Sequence, residues 1–395
     1  MPLFARRGSK LLLLALLATL LAAGAGCSTL GYYWQAFDGQ MELVRKARPI
    51  PEVIADPATA QELKVRLEHA RQIRDFASSA LSLPDNGSYR RYADLKREYV
   101  VWNVFASAEF SVQPREWCFP VAGCVGYRGY FAQAGADAFA ASLRRADGDV
   151  YVAGVPAYST LGWLDDPVLS TFVTYPRTEL ARLVFHELSH QIAYAPGDST
   201  FNESFAVTVE TEGVQRWLAA YGTPEERAAV ELAQRRRAGF IALVGRHRER
   251  LAQLYASGLA PAPMRVEKAR AFDAMRADYA ALKQQWGGFP GYDWWFEQPL
   301  NNAQLASVAI YTQLVPGFQR LLADSGGDLP RFYATVEALA KLPEAQRRAA
   351  LGAESLSAQD RGVRVTAPCS ARSPGFPARA CCRCPPPSAA IPRRA

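Results

Sequence analysis

The chain has 395 residues, 49% of them hydrophobic, 21% charged and 11% aromatic, which is enough apolar material for a large core and excludes an intrinsically disordered protein. Its 45 basic residues exceed its 38 acidic ones. The excess sits at the ends: setting aside three basic residues in 1–26 and five arginines in 366–395 leaves 37 against 38 over residues 27–365. A body that close to neutral argues against a nucleic-acid-binding protein, whose folded surface would carry a basic stripe.

Residues 1–26 read as an export signal, with Arg6, Arg7 and Lys10 followed by the apolar run LLLLALLATLLAA and the small residues before Cys27. That order suggests a bacterial lipoprotein signal, after which Cys27 is the lipidated first residue. An uncleaved anchor and ordinary secretion are the alternatives. Gly24 stands where such signals usually have Leu. Acyl chains on Cys27 would tie the protein to a membrane without spanning it, and no later run reaches the roughly 18 apolar residues of a spanning helix. Ser28 resembles outer-membrane lipoproteins more than retained ones, so the expected address is the periplasmic side of the envelope.

Helical spacing marks 34–47 and 59–82, where Leu63, Val65, Leu67, Ile73 and Phe76 alternate with Arg and Glu. The segment 99–112, rich in β-branched and aromatic residues, predicts one or two strands, and shorter strands are expected near 127–131 and 149–155. Between them, Cys118 and Cys124 enclose Pro120 and Gly123, and an oxidising compartment would let the pair close a small loop as a disulfide. After Pro176 helices are predicted at 177–194, 200–221, 223–257, 265–285, 301–324 and 329–342. The segment 286–302, WGGFPGYDWWFEQPLNN, interrupts them and reads either as a loop over a cleft or as a buried packing plug. The expected class is α+β, helix-dominant with a few short strands, in one domain over 27–355. A Pro-, Arg- and Cys-rich tail over 356–395 reads as disordered; its CCRC has no nearby His or acid to complete a metal site.

The sharpest signal is ELARLVFHELSHQIAY (179–194), which contains H-E-x-x-H. In a chain with four histidines an accidental copy is expected on the order of 0.002 times. Four residues make a little over one helical turn, so His186 and His190 share a face and can bind one ion. Glu187 lies beside them, where a carboxylate can take a proton from the water that a metal activates. The bland alternative is a core helix whose histidines are satisfied by hydrogen bonds. A hydrolytic zinc site needs a third protein ligand and an open position. After twelve intervening residues comes Glu203, in the first turn or so of a helix that Asp198, Ser199 or Thr200 can cap. Antiparallel packing would carry Glu203 back to the histidines; Glu210, two turns later, is the alternative ligand.

HELSHQ followed by FNESFA resembles the gluzincin branch of zinc peptidases. More closely, the chain over about 27–345 resembles a family of bacterial lipoproteins described as "putative aminopeptidases", through STLGYYWQAFDGQMELVRKARPI, CFPVAGCVGYRGYF, GVPAYSTLGWLDDPVLSTF, the HELSH and FNESFA pair, and NNAQLASVAIY. The resemblance implies a zincin-like core, Zn2+ on His186, His190 and Glu203, Glu187 as general base, and a peptide substrate. Tyr158 and Tyr311 are candidate oxyanion donors. Asn202, Asp165 and Asp166 are candidates for holding the histidine rings, and Glu179, Glu212 or Asp166 for a substrate ammonium. The rival functions are a non-catalytic envelope scaffold with a structural H-E-x-x-H helix, and an envelope quality-control endoprotease.

Overall fold

The computed structural model describes residues 30–119, 123–146 and 148–352. The expected signal at 1–26, Cys27 and the tail at 356–395 lie outside them. The class is α+β and helix-dominant, with short strands in three small sheets. Helix α1 (30–46) leads into β1 (Arg48–Pro49), α2 (Ile50–Ala55) and α3 (Gln61–Ser79). β1 pairs antiparallel with β2 (Arg91–Ala93), which pairs parallel with β8 (Val168–Leu169). This sheet was not foreseen, because strands of two or three residues leave no period to read.

The sheet that matters for the site is β6-β3-β7, with β3 (Val101–Ala108) between β6 (Arg128–Tyr130) and β7 (Gly148–Val155), antiparallel to both. Alternation along β3 sends its two sets of side chains to different helices. Val104 and Ala106 pack with Ala136, Ala140 and Leu143 of α4 (Gln133–Arg144), while Phe105 packs with Ala303 and Ile310 of α10 (Asn302–Thr312). The hairpin of β4 (Trp117–Phe119) and β5 (Gly123–Val125) carries a Cys118–Cys124 disulfide in register. Gly123 has φ +74°, and a Cβ there would lie 2.4 Å from the Gly197 nitrogen, so only glycine lets this hairpin press on the chain leading into the sixth helix.

The main core gathers α2, α3, α5 (Arg177–Ser189), α6 (Ser199–Tyr221), α11 (Val315–Asp324) and α12 (Leu329–Ala340). A second cluster joins α7 (Pro224–Tyr255), α8 (Pro261–Gln285) and α9 (Asp293–Phe296) to Leu305 of α10. Within it Phe296 stacks on Tyr279 at 3.9 Å and Trp295 meets the Phe240 ring edge-on at 5.1 Å. The segment 286–302 is therefore a packing plug, and none of its residues lines the cavity described below. The helix expected over 301–324 is two helices. Pro316, in the first turn of α11, has no N–H to continue α10, and the Leu314 N–H at the break donates to Ser204 Oγ at 3.2 Å. The helix expected over 177–194 ends at Ser189, with His190 as its C-cap in helical conformation. Among the described residues no helix is long and apolar enough to cross a membrane.

Candidate active site

Helix α6 is buried on every side from Phe201 to Glu210, the pattern of a central helix. It lies antiparallel to α5: descending positions Arg182 and His186 meet Glu210, and His186 and His190 meet Glu203. Gly213 permits this close approach, since a Cβ there would lie 2.7 Å from Phe185. The intervening chain is tied at both ends. Asn202 closes on Ala195, its Oδ1 accepting from the Ala195 N–H at 2.8 Å and its Nδ2 donating to the carbonyl at 3.0 Å. Asp198 caps α6 by accepting from the Phe201 N–H, and pairs with buried Arg347 of α13 (Glu344–Ala350) at 2.8 Å.

These constraints bring one ligand atom each from His186, His190 and Glu203 within 4.8 Å of one another, all three residues buried. His186 Nε2 is 3.2 Å and His190 Nε2 3.7 Å from Glu203 Oε2, with the imidazole rings nearly perpendicular. Glu210 is on the other side of the His186 ring, 2.8 Å from Nδ1. It is a ring-holding residue here rather than a member of the ligand group. Its carboxylate also accepts from Arg182 at 3.1 Å and Arg237 at 2.9 Å.

The donor set tests whether a cation fits. With Nδ1–H donating to Glu210, the Nε2 lone pair of neutral His186 points at a carboxylate, and two acceptors at that distance need a proton or a cation between them. A divalent ion on His186, His190 and Glu203 meets that need with the two-histidine, one-carboxylate set of hydrolytic zinc. Without one, the ring itself is driven to the cationic form: burial works against the charge, but hydrogen bonds to Glu203 and Glu210 outweigh it and raise the pKa to about 10. Burial lowers His190 to about 4, and its Nδ1 is buried with no hydrogen-bond partner among the described residues. Glu210 is held well below the usual carboxylate range despite its burial, by Arg182 foremost. Glu187 is raised to about 8, first by burial, with further contributions from the Glu203 and Asp166 charges.

The group opens into a cavity of about 500 Å3. Its walls include the α5–α6 pair, the β6-β3-β7 sheet through Val101, Asn103, Gly129 and Val155, α1 through Tyr32 and Ala36, the loop after β7 through Tyr158, and α10 through Tyr311. Tyr158 and Tyr311 both line it, as do Tyr127 and Tyr194, which sequence reasoning missed because an isolated tyrosine carries no spacing signal. The four differ electrostatically. Burial raises all of them; Glu203 raises Tyr127, Tyr194 and Tyr311 further, whereas Tyr158 responds to Asp166. Tyr311, whose ring lies 6.4 Å from that of His186 at 30°, is thus a neutral O–H donor beside the ligand group.

The remaining candidates are placed elsewhere. Asn202 holds the Ala195 backbone rather than a histidine ring, and Asp165 is exposed. Glu179 is paired with Arg182 and Glu212 with Arg216, each at 2.8 Å or less. Buried Asp166 accepts from the Thr160 N–H at 3.0 Å and Ser159 Oγ at 3.4 Å, which does not prevent burial from raising it to about 6. An unfolded aspartate ionises near 3.8, so its contribution is fully present below about pH 4 and is lost as pH rises through about 6. In thermal unfolding across that window, Asp166→Asn should stay flatter than the parent and gain up to about 3 kcal/mol relative to it by neutral pH. Parallel curves would mean that Asp166 ionises freely.

A family model described as "Putative aminopeptidase" matches residues 31–351. No curated protein and no solved structure matches the chain significantly.

Proposed function

The chain belongs to that aminopeptidase family, and from this premise we propose that it is an exported, lipid-anchored, zinc-dependent peptidase with a zincin-like core. The observation that carries the proposal is the convergence of His186, His190 and Glu203 in a cavity that Glu187 also lines. When bound there, a zinc ion would act as a Lewis acid, acidifying a water and polarising a scissile carbonyl, and its charge would favour ionised Glu187. Glu187 takes the proton of the attacking water and passes it to the leaving amine. Glu210 keeps the His186 proton on Nδ1, so that Nε2 is free to act as a donor atom. Tyr311 donates to the developing oxyanion, and the sheet and α1 walls exclude bulk water from the exchange. Lipidation at Cys27 would hold the domain at the periplasmic side of the envelope, on the outer membrane.

Metal analysis of purified protein tests the centre: one zinc per chain is expected, and none in a His190→Ala variant that remains folded. Parent protein that takes up no metal under any loading condition would end the reading.

A second reading is favoured by the acids of the cavity. Its described lining offers only Glu187, Glu203 and Glu210 as carboxylates, and Glu210 is committed to two arginines. No further acid there awaits a substrate ammonium, so the same centre would suit cleavage within longer chains. Peptides with free and acetylated amino termini separate the two: an aminopeptidase cuts only the free form, and equal rates would assign an endopeptidase.

A further inference from the structure

Helix α1 has two unlike faces. Its inner face is pinned to the wall of the cavity: Gln35 donates to the Gly129 carbonyl at 3.4 Å and accepts from the Phe131 N–H at 3.0 Å. Tyr32 stacks on Phe119 at 5.5 Å, with the Arg128 guanidinium 3.9 Å from its ring centroid. Its outer face is apolar and in solvent, with Leu30 71%, Trp34 68% and Phe37 57% exposed, and Tyr33 and Val44 beside them. The spacing 30, 33, 34, 37, 44 places these side chains within about one third of the helix circumference. Exposed single hydrophobes are ordinary, but a continuous stripe of this kind on one helix is not.

What covers the stripe is indicated by its position and composition. Two residues separate Cys27 from Leu30, and a chain spans at most about 3.6 Å per residue, so the backbone of Leu30 lies within about 11 Å of the backbone of Cys27, which would carry the acyl groups. Trp, Tyr, Phe and Leu are also the side chains that settle at the boundary between headgroups and acyl chains. We propose that the outer face of α1 docks flat on a phospholipid bilayer, with Leu30, Trp34 and Phe37 in the interface. The proposal rests on the anchoring of Cys27 put forward above. It has a consequence for the site: because Tyr32 and Ala36 of the same helix line the cavity, docking sets that wall within about one helix diameter, 10–12 Å, of the lipid surface. The substrates within easiest reach are then peptides presented at the membrane.

The full lipidated chain, reconstituted in vesicles of phosphatidylethanolamine and phosphatidylglycerol with brominated acyl chains, provides the test. Bromine should quench part of the tryptophan emission, and that part should be missing in Trp34→Phe but kept in Trp294→Phe, a control at another exposed tryptophan. Quenching in Trp34→Phe equal to the parent would overturn the docking. A dimer that dissociates on Trp34→Ser, without lipid quenching, would assign the face to a second copy and overturn it as well. Flotation reads the anchor separately. Cys27→Ala floating as well as the parent removes the lipidation while quenching still decides the docking, and a parent that does not float removes both.

Discussion

Replacing Glu187 by Gln should reduce peptide hydrolysis by about 100- to 10,000-fold, the usual contribution of a positioned general base, while leaving zinc stoichiometry unchanged. The two properties separate because Glu187 is not one of the three converging ligand residues but lines the same cavity. Nor should the fold suffer. Glu187 is buried and its carboxylate is disfavoured there, so a neutral amide of the same shape removes a desolvation cost. The variant is therefore expected to unfold at a temperature no lower than the parent. Steady-state hydrolysis, metal analysis and thermal unfolding on one preparation check all three statements; retained activity would remove Glu187 from its role.

Glu210→Ala is expected to act on stability instead. That carboxylate is fully buried and is shared by Arg182, Arg237 and the His186 ring, so its loss strands a buried charge network on one side only. Breaking a fully buried pairing costs about 3–5 kcal/mol, and the loss here should fall toward or below the low end because the Arg182 and Arg237 side chains are 33% and 38% exposed and can turn to water. The same change frees the His186 tautomer, and losing a ligand's supporting hydrogen bond typically weakens metal binding by about 10- to 100-fold. Glu210→Gln retains an acceptor for one partner and should recover most of the stability while keeping the metal defect. Chemical denaturation together with competition against a zinc chelator measures both. Unchanged zinc affinity in a folded Glu210→Gln protein would show that the His186 ring needs no such support.

The sequence revealed the centre better than its surroundings, for physical reasons. His186 and His190 are related by helical geometry alone, so four residues of text fix their common face. Glu203 needed one further assumption, an antiparallel return, and the capping residue Asp198 made that readable. Glu210 could be named but not assigned, since its role depends on Arg182 from the neighbouring helix and on Arg237 from the one after it. The cavity wall was legible only in part: the strands expected at 99–112, 127–131 and 149–155 are β3, β6 and β7, but they meet by pairing across the chain, as when Trp102 opposes both Tyr130 and Gly154, and no local period encodes a register. The split between α10 and α11 could have been read from Pro316, but the apolar spacing continues across it and masks the signal. The plug at 286–302 was ambiguous because the same aromatics serve a lid or a core.

The pairing of Asp198 with Arg347 spans 149 residues of chain. Asp198 opens the helix that carries Glu203, so the start of that helix is bolted by nearly the last element of the domain. Synthesis delivers the chain from its amino end, and both imidazoles and the carboxylate leave the ribosome long before the guanidinium that secures them. The first turn of the helix that carries Glu203 therefore gains its buried guanidinium partner only after nearly all of the described residues have been made.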